Sequence, residues 1–140
     1  MLDINKPNPE RFLHFYTGTG GLKKGQLAVL DSSTAIAAPE GVATAILLGI
    51  AVEDYAAGTV CSLYPLTGTE IKCSVYQGGA TDTFAAANVG TLFDIYIDSS
   101  TGEMFIDPND TQNPFLALMS YDNVSHIAYA RPINSVIYVG

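Results

Sequence analysis

The stretch ILLGIAVEDYAAGTV, residues 46–60, indicates the fold class of this chain. A run of apolar residues and glycine ends on two acids, Glu53 and Asp54, and a small Tyr-Ala-Ala-Gly link precedes the next apolar segment. This pattern predicts strand, turn and strand, and the nearly continuous apolar run is typical of a strand covered on both faces. Neighbouring strand residues point to opposite faces, so the two acids cannot flank one bond as glycosidase carboxylates do. We expect them to end a core strand.

The same pattern extends along the chain from residue 26 onward. Short segments rich in Val, Ile, Tyr and Phe alternate with clusters of Gly, Pro, Asn, Asp and Ser. Their spacing of about 8–12 residues is typical of a sandwich or barrel. TFAAANVG, residues 83–90, favours one short helical turn, and no segment has a sustained helical period. The sequence predicts an all-β fold, a small β-barrel without any helix longer than two turns. The predicted strands lie within residues 26–31, 34–39, 45–53, 59–66, 69–76, 91–98, 103–107, 115–122, 125–132 and 135–139.

The first 21 residues predict an extended N-terminal arm, attached to an all-β domain over residues 22–140. Pro7 and Pro9 exclude a regular helix in the arm. TGTGGL, residues 17–22, predicts a flexible joint, because glycine adopts backbone angles that other residues avoid.

The N-terminal part of the chain contains an aromatic cluster, RFLHFY, and a net positive charge that the rest of the chain lacks. Residues 1–24 carry a net charge of +2, whereas residues 25–140 carry −10. A basic, aromatic arm on an acidic body predicts docking on a neighbouring chain, guided by charge and held by apolar contacts. The residues expected to bind a neighbouring chain are Arg11, Phe12, Phe15, Tyr16, Lys23 and Lys24.

The composition predicts a soluble protein that buries surface in an assembly. Apolar residues make up 48% of the chain and charged residues 14%, well below the roughly 25% usual for soluble domains. The longest mostly apolar stretch, residues 42–52, is shorter than the about 20 residues a membrane helix needs, and the first residues do not resemble a signal peptide. The net charge of −8 argues against nucleic-acid binding, which requires clustered Lys and Arg. We therefore expect neither a membrane nor a nucleic-acid partner.

Residues that could carry catalysis are sparse. His14 and His126 are the only histidines, and Ser125 next to His126 would face the opposite side of a strand. His126 is expected to pack or hydrogen-bond within that strand. We expect no catalytic residue and no enzymatic activity.

Two further motifs are expected to be structural. DPND, residues 107–110, has oxygen ligands that suit calcium but lacks the spacing of an EF-hand, and it is an ordinary turn sequence. GTGG, residues 18–21, is not placed between a strand and a helix with a Walker-type lysine, as a phosphate-binding loop would be. We therefore predict no metal and no cofactor.

The two cysteines, Cys61 and Cys73, flank the predicted hairpin turn LTGT, residues 66–69. A two-residue loop would place them on opposite faces, whereas a three-residue loop would bring them together, so their pairing stays open. Reduced structural thiols are the favoured state, since two cysteines make neither a disulfide framework nor a zinc cluster. SSTGE, residues 99–103, predicts a second hairpin turn.

Residues 22–77 resemble the small β-domains of tailed-phage head decoration proteins, which cement the capsid, including the lambda-type decoration protein. The resemblance is carried by Gly25, Leu27, Val29, Ala38, Pro39, Gly49, Ile50, Ala51, Glu53, Ala57, Gly58 and Val60. It implies a β-tulip or barrel-like core on the capsid exterior, often trimeric, with the N-terminal arm laid on the capsid lattice. The implied partners are the major capsid protein and further copies of this chain, in a virion assembled in the host cytoplasm.

An alternative from a different class is a carbohydrate- or receptor-binding β-module of a phage fibre or surface protein. The chain has eight tyrosines that could stack on sugars, but it has no tryptophan, which sugar sites usually offer as well.

Overall fold

The computed structural model describes residues 1–4, 12–41, 45–66 and 70–133. These residues form an all-β fold with a closed five-stranded barrel, so the predicted fold class is confirmed. The strands are β1 (Leu2–Ile4), β2 (Leu13–Thr17), β3 (Leu27–Asp31), β4 (Thr34–Ala37), β5 (Leu47–Ala51), β6 (Val60–Pro65), β7 (Ile71–Ser74), β8 (Leu92–Phe93), β9 (Ile95–Ile97), β10 (Met104–Ile106), β11 (Leu116–Asp122) and β12 (Ile127–Pro132). A single turn of 3₁₀ helix, Ala86–Asn88, is the one helical element in the described ranges, within the segment expected to form a short turn. The predicted strand over residues 135–139 lies outside the described residues.

The barrel closes in the order β2-β4-β3-β5-β6. Four of its five pairings are antiparallel, and the parallel pair β2–β4 completes the ring. Closure satisfies the hydrogen-bonding edges that an open sheet would expose. Gly49 permits β5 and β6 to approach closely, because a Cβ atom there would collide with the carbonyl oxygen of Tyr64.

A second sheet has the order β1-β7-β12-β11-β8, and β9 and β10 form a separate hairpin. One apolar core joins this sheet to the barrel: it includes Leu27 and Ile50 of the barrel together with Ile71 and Leu116 of the sheet. A smaller cluster, which includes Leu48 and Leu63, also forms among barrel strands. The described residues therefore form two buried apolar clusters, one of them shared by barrel and sheet.

The continuous apolar run of β5 is covered on both faces by this chain. All five of its residues are buried: Leu47 and Ile50 join the shared core, whereas Leu48 and Ala51 join the smaller cluster. The β3–β5 register shifts at this point, and a bulge of this kind resets the alternation of a strand. Both faces of β5 are therefore covered from within the molecule.

The prediction of an arm separate from the body is corrected for the described parts of residues 1–21. Leu2 is fully buried, and β1 pairs with β7 in the second sheet. Residues 13–17 form a barrel strand that pairs with β4 and β6. Alternation along β2 directs the side chains of Leu13 and Phe15 to the smaller apolar cluster of the barrel. Burying these apolar side chains favours a barrel strand over a segment extended into solvent.

The glycine-rich segment expected to be a flexible joint is instead a turn packed on the YAAG link. Leu22 and Tyr55 exchange two backbone hydrogen bonds, at 2.9 and 2.7 Å. Gly21 adopts a left-handed φ of 64°, and a Cβ atom there would collide with the Tyr55 carbonyl oxygen. Glu53 and Asp54 are exposed after the end of β5, as expected, and Asp54 Oδ1 accepts a hydrogen bond from the Lys24 backbone N–H at 2.8 Å.

One of the two predicted hairpins is confirmed and the other is wrong. SSTGE connects the paired strands β9 and β10, and Gly102 has a positive φ of 74°. LTGT does not connect paired strands, because β6 belongs to the barrel and β7 to the second sheet. Cys61 and Cys73 consequently lie in different core clusters, and both are free and buried. Burial raises the pKa of the Cys73 thiol to about 12 and also raises that of Cys61.

Candidate functional site

The aromatic residues of the predicted arm divide between interior and surface. The Phe12 ring packs edge-on against Tyr64, with ring centroids 5.0 Å apart. Phe15 is half-buried and packs against the smaller barrel cluster. Tyr16, in contrast, has 62% of its surface exposed. The structure therefore places Phe12 and Phe15 in contacts with their own domain and leaves Tyr16 as the outward-facing aromatic ring.

The two lysines expected to accompany them lie at the surface. Lys23 and Lys24 are both exposed. The Lys23 ammonium donates a hydrogen bond to the Thr101 carbonyl oxygen at 2.8 Å, in the turn between β9 and β10. Arg11 lies outside the described residues.

Cross-strand pairing builds a small exposed surface around Tyr16, which we call the β2–β6 face: His14, Tyr16, Val60 and Ser62. Tyr16 lies opposite Val60 and His14 lies opposite Ser62 in the antiparallel register. Val60 is 53% exposed, and His14 Nδ1 and Ser62 Oγ are 3.2 Å apart. Two large apolar side chains thus stand side by side in solvent on a strand pair that has no free edge, so a partner would cover them by side-chain packing.

Of the four residues of the β2–β6 face, only Tyr16 is a contact residue predicted from the sequence, through its place in an aromatic cluster. The sequence does not predict Val60 as a contact residue. The residue opposite a strand position depends on the pairing of β2 with β6, which are more than 40 residues apart, and no local pattern encodes that register.

The other histidine, His126, was expected to lie in a strand, but it lies just before β12. His126 has a left-handed φ of 54°, and its Nε2 is 3.9 Å from Asp82 Oδ2. Ser125 donates its backbone N–H to Asp122 Oδ1 in the preceding turn. These contacts tie the β11–β12 turn to the segment that follows β7.

A buried acid, Asp94, separates β8 from β9 and connects three parts of the chain. Its side chain is 1% exposed, and Oδ2 accepts a hydrogen bond from the Gly41 N–H at 2.8 Å. Its backbone N–H donates to the Asp110 carbonyl, and its own carbonyl accepts from the Asp107 N–H. Glu40, the residue before Gly41, also contacts β9, because its Oε1 accepts a hydrogen bond from the Ile97 N–H at 3.1 Å. We call this arrangement the Asp94 junction.

The Asp94 carboxyl group has an unusual environment for an acid. Oδ1 is buried without a hydrogen-bond partner in the described part of the chain. Burial raises the pKa of Asp94 to about 6; the Ile95 and Gly41 N–H groups oppose the shift, and the charges of Asp110 and Glu40 add to it. Burying the Asp94 carboxyl group therefore costs less free energy when it is protonated than when it is ionised.

DPND forms the turn that its sequence indicates. Asp107 Oδ1 accepts hydrogen bonds from both the backbone N–H and the side-chain amide of Asn109, and Asp110 Oδ1 accepts the Gln112 N–H. Over the described ranges, no group of three or more His, Cys, Asp or Glu side chains is arranged to hold a metal ion.

Comparison with known proteins leaves the chain without an assigned family. No family model matches the sequence, and no curated protein matches it. In the part of the chain that the structure describes, no helix is long and apolar enough to cross a membrane.

Proposed function

We propose that this protein is a decoration protein of a tailed-phage head, which binds the outer surface of the capsid shell and stabilises it. The proposal combines the resemblance of residues 22–77 with one structural observation, the exposed Tyr16–Val60 pair on the β2–β6 face. The proposed partners are the major capsid protein and further copies of this chain, assembled as a trimer on the shell.

The β2–β6 face is suited to such a contact because its apolar atoms are already presented by a rigid barrel. Both side chains lie on strands held on each side by neighbouring strands, so little conformational freedom would be lost on binding. Completely burying one large apolar side chain contributes about 1.5–3 kcal/mol. Tyr16 and Val60 are more than half exposed, so covering both would contribute roughly 2–3 kcal/mol.

The exposed lysines support the same contact through long-range attraction. Lys23 and Lys24 follow the turn after β2 and belong to the part of the chain with a positive net charge. Exposed ion pairs contribute only about 0–1 kcal/mol each. The apolar pair would thus hold the complex while the lysines raise the rate of encounter.

Binding to decoration-free capsids tests the proposal. We expect the wild-type protein to co-sediment with expanded shells built from the major capsid protein of the same phage. The double variant Tyr16→Ser, Val60→Thr should bind at least about tenfold more weakly, which corresponds to about 1.4 kcal/mol. Val124→Thr is the matched control, because Val124 is 93% exposed but lies in the β11–β12 turn.

Two results would contradict the proposal. Absence of wild-type binding to the shells would refute the capsid function itself. Equal binding by the double variant, the Val124→Thr control and the wild type would retain the function but remove the β2–β6 face as its site.

A further inference from the structure

A second aromatic surface lies on the hairpin side of the molecule and consists of Tyr76, Tyr96 and Phe105; we call it the tyrosine face. Phe105 lies directly opposite Tyr96 in the β9–β10 pair. On the other side of β10, the Tyr76 N–H donates to the Ile106 carbonyl at 2.9 Å. The residues that alternate with them are buried, so the three rings share the outward side of adjacent strands. Those buried residues are Val75, Ile95, Met104 and Ile106.

The rings of the tyrosine face are fixed in position by one another. Tyr76 and Tyr96 are stacked, with centroids 3.7 Å apart and planes inclined by 16°. Phe105 lies 6.3 Å from the first ring and 6.4 Å from the second. A hydrogen bond with Tyr96 is the main cause that raises the pKa of Tyr76. The rings remain partly exposed although they contact each other, so the surface is ordered before any ligand arrives.

A glycine-containing loop, QGGAT at residues 77–81, borders this face. A Cβ atom on Gly78 would lie 2.5 Å from the Tyr76 hydroxyl oxygen, so the loop backbone runs directly beside the ring. The Asn109 side chain holds the loop through two hydrogen bonds with the Thr81 backbone, at 2.8 and 2.9 Å. All five loop residues are exposed, and the two glycines place no side chain between their peptide groups and a ligand.

The acids near the face disfavour an anionic ligand. Asp98 and Asp107 are the charged residues that act on the Tyr76 hydroxyl, and both are acids. Each also accepts local turn hydrogen bonds through Oδ1: Asp98 from Ser100 and Thr101, and Asp107 from Asn109. Beside these acids, the border offers the tyrosine hydroxyls and the exposed peptide groups of residues 77–80, which are neutral donors and acceptors.

We propose that the tyrosine face binds a neutral carbohydrate. A sugar ring has an apolar C–H side that packs on an aromatic ring, and its hydroxyl groups both donate and accept hydrogen bonds. The tyrosine face supplies the aromatic surface, and the 77–81 loop supplies the matching polar groups. This activity does not depend on capsid binding, because the two surfaces share no residue and lie on different strands.

A glycan array with the isolated protein, followed by calorimetric titration of the best neutral oligosaccharide, tests this proposal. We expect the wild type to bind at least one such glycan, and Tyr76→Ala to bind it at least about tenfold more weakly because the stacking surface is lost. Tyr16→Ala is the matched control, since it removes an exposed tyrosine from the β2–β6 face and should leave glycan affinity unchanged.

A second variant covers the case in which Tyr76→Ala fails to fold. Gly78→Ala keeps all three aromatic residues but adds a methyl group that the Tyr76 ring must move to accommodate, so it should also weaken binding. Circular dichroism and thermal unfolding confirm that each variant is folded. Binding to no neutral glycan would overturn the proposal, as would glycan affinity that survives both variants. Binding only to lysine- or arginine-rich peptides would overturn it in favour of a cationic ligand.

Discussion

Replacing Asp94 by asparagine should remove a pH-dependent contribution to the stability of the fold. The folded-state pKa of Asp94 is about 6, against an ordinary value of 3.8. Its side chain is almost completely buried, so solvent screens this effect little. A shift of about two units corresponds to about 3 kcal/mol between the protonated and ionised states.

The sign of the effect follows from the direction of the shift. Because the folded pKa is above the unfolded value, the favourable contribution of Asp94 is fully present below about pH 4 and is lost as the pH rises through about 6. The wild-type protein should therefore be less stable at pH 8 than at pH 4 by about 3 kcal/mol from this residue alone. Asparagine stays neutral throughout this range, and its side-chain oxygen retains the acceptor for the Gly41 N–H.

Urea unfolding at pH 4, 5, 6, 7 and 8 measures the effect for the wild type and Asp94→Asn. The difference in unfolding free energy between the two proteins should change by about 3 kcal/mol across this range, with the variant gaining relative to the wild type at high pH. Taking this difference cancels the titration of all other carboxylates. Parallel stability curves from pH 4 to pH 8 would refute the reasoning.

Asp122 provides a control of opposite sign. The N–H groups of Val124 and Ser125 lower the pKa of this exposed carboxyl group. The contribution of Asp122 to the unfolding free energy is present above the ordinary pKa of an aspartate. It is lost as the pH falls through the lower pKa of the folded state. Asp122→Asn should therefore follow the wild type from pH 5 to pH 8 with a constant difference, and diverge only in more acidic solution.

Three further perturbations test the fold and the proposed contact. Gly49→Ala should lower the unfolding free energy by about 1–3 kcal/mol, because the new methyl group would collide with the Tyr64 carbonyl oxygen of β6. An unchanged thermal midpoint would contradict this close approach. Cys61 and Cys73 should resist a thiol reagent in the folded protein and react after urea unfolding, since both are buried and have raised pKa values; rapid labelling of the native protein would contradict it. Substituting both Lys23 and Lys24 by glutamate should slow capsid association and reduce its salt dependence, measured by binding kinetics at low and high salt; an unchanged association rate would remove their role.

Most strands after residue 25 could be predicted from local sequence, because apolar segments and turn residues mark both ends of each. The hairpin of β9 and β10 is the clearest case, since the SSTGE turn and the pairing are neighbours in the chain. The first two strands could not be predicted in this way. β1 pairs with β7, and β2 pairs with β6, across long sequence separations that no local pattern records.

The candidate sites show the same limit. Tyr16 was identified from composition, whereas its partner Val60 and the three-ring tyrosine face required the strand register. The environment of Asp94 was equally inaccessible, because its burial depends on three loops that meet only in the folded chain. The sequence shows only an acid within the segment 91–98, which it predicts as one strand and which the structure divides into β8 and β9.

The role of residues 13–17 in closing the barrel changes which experiments can separate binding from folding. Deleting residues 2–17 would remove β1 and β2, and would leave β4 and β6 with unpaired backbone groups at the opening. Loss of capsid binding after such a deletion would thus report on the barrel rather than on a docking arm. Tyr16 avoids this ambiguity, because its side chain points outward while its backbone pairs on both sides. Substitution there removes the contact atoms and keeps every strand in register, so the decisive variants are single outward-facing side chains of the barrel.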